Sequence, residues 1–229
     1  MREIVLDTET TGLDPAAGHR LVEVGCVELL NHLPTGEVFH RYLNPQRDMP
    51  EEAFKIHGLS AEYLSDKPLF ADVAAEFLEF IGDAPLVIHN ADFDMKFLNA
   101  ELTGLGFPAL PKARAIDTVP MARRKFPGAQ ANLDALCRRF EIDNSNRVKH
   151  GALLDAELLA EVYLELIGGR QPGFELATIK GSKVESVSVI RNFREPRPYQ
   201  PTAEEAEAHA AFVAKIKGAL WLREGSEGK

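Results

Sequence analysis

The first apolar run of the chain ends in acid. In Glu3-Ile4-Val5-Leu6-Asp7-Thr8-Glu9, strand-forming residues lead into two carboxylates separated by one residue. On a strand, residues i and i+2 share a face, so Asp7 and Glu9 project side by side. Like charges that close repel, and in an isolated strand one of the two pKa values would rise. A site that keeps both ionised supplies cations, and Mg²⁺ or Mn²⁺ favours such hard oxygen ligands. Taken alone, Asp-x-Glu reads first as a solvated strand end. The remaining acids decide.

The pattern beyond this strand sets the fold class. Thr10 to Pro15 reads as a turn, Leu21 to Leu30 as a second strand and Glu37 to Leu43 as a third. Pro34-Thr35-Gly36 supplies turn chemistry between the last two, giving an antiparallel meander. Residues 44–68 predict an irregular connection with one or two short helices. The periodicity then changes to helical from Phe70 to Ile81, with Gly82 as a stop. Leu86-Val87-Ile88 suits a buried strand, followed by a helix over 92–102 and a fifth strand over Ala113 to Thr118. Helices at 118–126, 132–140 and 152–167 complete an α/β domain with a mixed five-stranded sheet flanked by helices. Gly168-Gly169 closes this domain at residues 1–169. Residues 170–200 read as a flexible tether, and 201–229 as a segment built on a last helix started by the capping-box pattern Thr202-Ala203-Glu204-Glu205.

Composition narrows the function. The chain has 229 residues, 45% of them hydrophobic and 27% charged, enough for a sizeable core. No apolar run approaches the ~20 residues that span a bilayer, and the acidic start does not resemble a signal peptide. Cys26 and Cys137 lack metal-ligand spacing, so reduced core thiols in the cytoplasm are expected. A net charge of −9 argues against a protein that coats nucleic acid through phosphate contacts. It is compatible with an enzyme that gathers carboxylates. Residues 1–169 carry a net charge of −11 and residues 170–229 a net charge of +2, which marks two regions with different tasks.

Two further acids sit where helix periodicity places apolar side chains. Asp94, in His89-Asn90-Ala91-Asp92-Phe93-Asp94, has Phe97 and Leu98 at i+3 and i+4. It falls in the first turn of a helix beyond a buried strand, where open α/β sheets bind ligands. Asp92 points elsewhere, as an ordinary N-terminal helix acid. Asp155 has Leu158, Leu159, Val162 and Leu166 at i+3, i+4, i+7 and i+11, so it lies on a core stripe, whereas Glu157, Glu161 and Glu165 occupy the opposite face. Burying an unpaired carboxylate costs several kcal/mol. Asp155 therefore needs a partner, either a metal shared with Asp7 and Glu9 or a buried arginine. His150 precedes this helix and suits proton transfer from water near neutral pH, with a purely structural role as the alternative.

Asp7-Thr8-Glu9, the Asp94 segment and the His150…Asp155 pair, in this order, resemble the three motifs of the DEDDh 3′→5′ exonucleases, which have a ribonuclease H-like fold. Asn132-Leu133-Asp134-Ala135-Leu136-Cys137, Glu141-Ile142-Asp143-Asn144-Ser145 and His150-Gly151-Ala152-Leu153-Leu154-Asp155-Ala156 extend the resemblance to the proofreading (epsilon) subunits of bacterial DNA polymerase III, over about residues 3–169. The resemblance implies that Asp7, Glu9, Asp94 and Asp155 hold two divalent cations, Mg²⁺ or Mn²⁺, ~3.5–4 Å apart astride the scissile phosphate. It implies His150 as general base, Glu52 and His57 as contacts to the terminal nucleotide together with Asp7, Glu9 and Asp155, and a nucleoside 5′-monophosphate as product.

The same resemblance implies partners. The segment 201–229 is similar to the polymerase (alpha) subunit-binding segment of that family, with Phe212, Val213, Ile216 and Trp221 as the expected docking face. Gln171-Pro172-Gly173-Phe174-Glu175-Leu176 loosely resembles a sliding-clamp-binding peptide, and the family admits a small theta-like subunit. Arg123-Arg124-Lys125 reads as a solvated helix face, or as a phosphate contact. Two other functions remain beside proofreading of DNA 3′ ends. One is a DEDDh nuclease acting on small RNA. The other is a non-catalytic stabilising subunit, which the complete set of four carboxylates and a histidine disfavours.

Overall fold

A computed structural model of the chain describes residues 1–147, 149–169 and 200–217. The chain divides into two units, Met1–Leu176 and Ala177–Lys229. In the first, β1 (Arg2–Thr10), β2 (Leu21–Leu30) and β3 (Leu33–Tyr42) form the meander. The short helices α1 (Glu51–His57) and α2 (Ala61–Leu64) follow, then α3 (Phe70–Ile81), β4 (Leu86–Ile88), α4 (Ala91–Gly104) and β5 (Ala115–Asp117). Helices α5 (Thr118–Lys125), α6 (Leu133–Phe140) and α7 (Ala152–Leu166) close the unit. The sheet order is β3-β2-β1-β4-β5, with β1 antiparallel to β2 and parallel to β4. This is the expected mixed five-stranded α/β sheet flanked by helices.

The first hairpin turns earlier than expected. Asn31 and His32, at φ 52° and 68°, make a two-residue loop, and Pro34-Thr35-Gly36 lies within β3 instead of forming the turn. Two consecutive residues at positive φ twist the loop to match its strands. Pro34 is tolerated because β3 is an edge strand, where one missing donor breaks no inner ladder. A register irregularity between Val27 and Leu29 absorbs the mismatch.

Strand parity directs the site. Ile4 and Leu6 pack into the core formed with α3 and α4, whereas Val5 joins Val27, Val87 and the apolar face of α7 on the other side. Asp7 and Glu9 share the parity of Val5 and so face the side of α7, while Thr8 faces α4. The two layers meet β1 closely. Asp7 is paired with Gly25 in the β1–β2 register, and a Cβ at Gly25 would lie 2.3 Å from the Leu153 backbone nitrogen and 2.4 Å from the Ala152 carbonyl carbon. Glycine is what lets the N-terminus of α7 rest on β2, and that contact brings Asp155 to the end of β1.

In the second unit, α8 (Ala203–Val213) begins at the expected capping box: Thr202 Oγ1 accepts from Glu205 N–H, and Glu205 Oε2 accepts from Thr202 N–H at 2.8 Å. The helix stops at Val213, before Gly218, so Ile216 falls beyond it. Of the expected docking face, Phe212 is 63% exposed and Ile216 38%, but Val213 is buried. Trp221 and the segment 171–176 lie outside the described residues. Among the described residues no helix is long and apolar enough to cross a membrane.

Candidate active site

The end of β1 opens into a cleft of about 420 Å³ lined by Asp7, Glu9, Asp94, His150 and Asp155, with Arg147 and Asp134 beside them. All five residues expected for metal holding and base catalysis therefore meet at one place. Glu9, His150 and Asp155 each offer a ligand atom, and these atoms lie within 4.8 Å of one another.

Each side chain is set by its own element. Asp94 is buried in the first turn of α4, and Thr8 Oγ1 donates to its Oδ1 at 2.7 Å. The start of α4 is itself held by Asp117 at the end of β5, whose carboxylate accepts from the backbone N–H groups of Asn90 (3.1 Å) and Ala91 (3.2 Å) while capping α5 through Val119. Asn90 takes the left-handed conformation, φ 66°, to turn the chain from β4 into α4. Asp92 pairs at the surface with Lys112 at 2.6 Å, as expected of a helix acid outside the site.

Asp155 is only 3% exposed. Its partner in the structure is the arginine that the sequence left as the alternative to a metal: Arg147 Nε donates to Oδ1 at 2.5 Å and Nη2 to Oδ2 at 2.6 Å. Arg147 also reaches Asp134 Oδ1 through Nη1 at 2.8 Å. Burial opposes ionisation of Asp155, yet the Arg147 hydrogen bonds, helped by His150, hold its pKa below the usual carboxylate range.

The other three acids lack such a partner and respond as crowded carboxylates must. Glu9 is pushed up to about 8 by burial and then by the charges of Asp155, Glu23 and Asp94. Asp94 is raised to about 7, chiefly by burial, against the lowering influence of Thr8. Asp7 is raised well above its ordinary value by the low-dielectric packing around its carboxyl and then by Asp94, Glu9 and Asp155. Without added cations this group of acids would hold protons at neutral pH.

A second cleft of about 490 Å³ adjoins the first, sharing Thr8, Glu9, Leu13 and Phe93, and Glu52 and His57 of α1 line it. Glu52 is exposed and His57 buried. His57 Nδ1 accepts from Leu59 N–H at 2.9 Å, and burial lowers the ring's pKa, so Nε2 carries the proton of the neutral imidazole. The basic run of α5 is a surface: Arg123, Arg124 and Lys125 are exposed, and Lys125 Nζ caps the carbonyls of Glu165 and Leu166 at the end of α7. Cys26 and Cys137 are free and buried, as expected.

Sequence reasoning did not single out Arg147 or Asp117. Arg147 carries no periodic signal because it lies in a non-helical stretch. Asp117, the last residue of β5, falls inside the expected strand with no signal of its own.

A sheet whose central strand ends in carboxylates, completed by acids from two helices and a histidine, defines a nuclease of the exonuclease class. Residues 4–163 match the family model described as Exonuclease, RNase_T. The nuclease domain of 3′hExo, a DEDDh family member bound to rAMP, superposes with a TM-score of 0.63 at 20% identity, over 72% of this chain and 91% of that one, a likeness of fold. DNA polymerase III subunit epsilon of Rickettsia conorii is 53% identical over 223 residues, 94% of this chain and 96% of the relative. The Escherichia coli protein of the same name is 45% identical over 236 residues, 96% and 97% of the two chains. The chain belongs to the family of DNA polymerase III epsilon subunits, the proofreading 3′→5′ exonucleases of replication. The fold implies divalent cations, and the donor set fits them: hard carboxylate oxygens, buried and crowded, with Arg147 pairing Asp155 alone of the four.

Proposed function

We propose that this chain removes mispaired 3′-terminal nucleotides from DNA as 5′-monophosphates, with Asp7, Glu9, Asp94 and Asp155 holding two divalent cations, Mg²⁺ or Mn²⁺. The observation that carries the reading is the convergence of these four acids and His150 on one cleft, three of the acids being raised chiefly by burial, and Asp7 and Glu9 also by neighbouring acids. Bound there, the cations would supply an activated water and neutralise charge on the scissile phosphate. His150, half-exposed at the cleft edge, takes the water's proton as general base. Asp155 Oδ2, 3.3 Å from His150 Nδ1, orients the ring.

Glu52 and His57, which line the adjoining cleft, bind the terminal nucleotide. Neither residue type demands a particular base, so preference for a mispair arises from the lower cost of fraying an unpaired end into a single-strand site. On this reading residues 1–169 are the exonuclease domain, 170–200 a linker and 201–229 the segment that docks the polymerase alpha subunit, with 171–176 a clamp-binding peptide and the domain surface open to a theta-like subunit.

Purified protein with Mg²⁺ and a 3′-labelled primer, paired or mispaired, beside an RNA oligomer, tests the assignment. Faster loss of the mispaired DNA end supports it. Preference for RNA would favour a small-RNA nuclease, and inactivity of the wild type a stabilising subunit. Asp7→Ala should abolish cleavage.

A further inference from the structure

Arg147 sits where a site built for cations would not be expected to keep an arginine. Its side chain is only 7% exposed, and it spends its donors on three groups of the cleft. Both oxygens of Asp155 accept from it, Asp134 Oδ1 accepts from Nη1, and Nη2 lies 2.8 Å from His150 Nδ1. The guanidinium thus lies against one edge of the imidazole, with Nη2 3.4 Å from Nε2 as well. In this arrangement the ring edge beside the carboxylates is already engaged. So are the in-plane lone pairs of Asp155 on the guanidinium side.

We propose that Arg147 is a latch: a resident cation that pairs with Asp155 and His150 until divalent cations displace it, so that cation entry also frees the general base. The inference rests on the reading of Asp7, Glu9 and Asp155 as cation ligands. Arg147 and His150 are three residues apart in sequence, and the same guanidinium nitrogen, Nη2, touches both Asp155 Oδ2 and His150 Nδ1. Breaking one contact by moving the guanidinium therefore breaks the other. The stretch has somewhere to stay anchored: His150 N–H donates to the Ile56 carbonyl at 3.2 Å, and Lys149 Nζ lies 4.9 Å over the Phe54 ring, both on α1. Asp134, at the start of α6, is an anchor for the latched guanidinium that does not belong to the proposed cation ligands. Arg147 is thus a positioning residue, coupling the state of the carboxylates to the state of the base.

A latch competes with the ions that replace it, whereas a supporting arginine would strengthen their site. Binding of Mn²⁺ to the full-length chain, followed by electron paramagnetic resonance of the free ion, separates the two. Charge-assisted, bidentate pairs are the strong class of hydrogen bond, so Arg147→Gln is expected to tighten Mn²⁺ binding by about tenfold or more. Asp134→Asn, which loosens the latch from outside the cation site, is expected to tighten it in the same direction by a smaller factor. It also serves where Arg147→Gln folds poorly without metal. In EDTA, Arg147→Gln should melt lower than wild type, and saturating Mn²⁺ should restore it. Unchanged or weaker Mn²⁺ binding by both variants overturns the latch while leaving the cation site intact. A wild-type chain that binds no Mn²⁺ overturns the cation reading and the latch together.

Discussion

Raising the pH without divalent cations should destabilise the catalytic unit, and Glu9 sets the scale. Its ordinary pKa is 4.5, and in the cleft it is pushed up to about 8. Between those values the folded chain holds a proton that the unfolded chain has lost. The stabilisation is therefore fully present below the ordinary value and disappears as pH rises through the folded one. Each such proton is worth about 1.4 kcal/mol per pH unit. From pH 5.5 to 7.5 Glu9 alone costs up to about 3 kcal/mol, a fall in melting temperature of roughly 5–10 °C for a chain of this size. Asp94, at about 7, and Asp7 act in the same direction. His57 and His89, lowered chiefly by burial, act in the opposite direction: their stabilisation is lost as pH falls. That contribution cancels in the difference between melts in Mg²⁺ and in EDTA. Bound cations favour the ionised carboxylates, so the Mg²⁺ gain in melting temperature should grow from pH 5.5 to 7.5. Glu9→Gln should remove most of that growth. A gain independent of pH, or one that shrinks, would refute the account of these acids as cation ligands.

Four other outcomes follow from the geometry. Asp7→Asn should abolish cleavage of a 3′-labelled strand yet raise the melting temperature in EDTA at pH 7.5, because asparagine requires neither a buried charge nor the proton uptake that keeps a buried carboxyl neutral; a lower melting temperature would contradict the crowding. His150→Gln should lower kcat by about 10²–10⁴ with Mn²⁺ affinity retained, whereas weakened Mn²⁺ binding would make the imidazole a ligand and not a base. Gly25→Ala should destabilise by about 1–3 kcal/mol or more in urea unfolding, since the added methyl meets backbone at the start of α7, and the surviving fold should cleave more slowly as Asp155 is pushed from Asp7. Deleting residues 170–229 should leave hydrolysis of short single strands intact while co-purification with the polymerase subunit is lost; unchanged binding would remove the docking assignment.

The acids of the site were legible because helix and strand periodicity report which side is buried. Asp94 and Asp155 stood out as charges on apolar stripes, and both are buried at the cleft. What periodicity does not carry is pairing across the fold. It required Asp155 to have a partner and left metal and arginine open; Arg147 is the partner only because an irregular stretch folds back onto α7. Asp117 holds α4 through contacts 26 and 27 residues distant, fixed by the parallel register of β4 and β5. The first hairpin was misjudged for a related reason. Pro34-Thr35-Gly36 has turn chemistry, but the longer ladder from Leu33 to Tyr42 outweighs it and moves the turn to Asn31-His32.

The position of β1 at the centre of the sheet gives the two halves of the site different lifetimes. The segment of Asp7 and Glu9 is laddered to β2 on one side, and the strand is held by β4 on the other. Its amides should exchange with solvent only through global unfolding. His150 lies outside any helix or strand, tied by its N–H to Ile56, so its amide should exchange through local opening. If His150 is the base proposed above, thermal stress should release it before the strand that carries Asp7 and Glu9. On the proposed reading, a chain in that state would keep its carboxylates and engage a DNA end without cutting it, an inert cap on the very terminus that replication needs cleared.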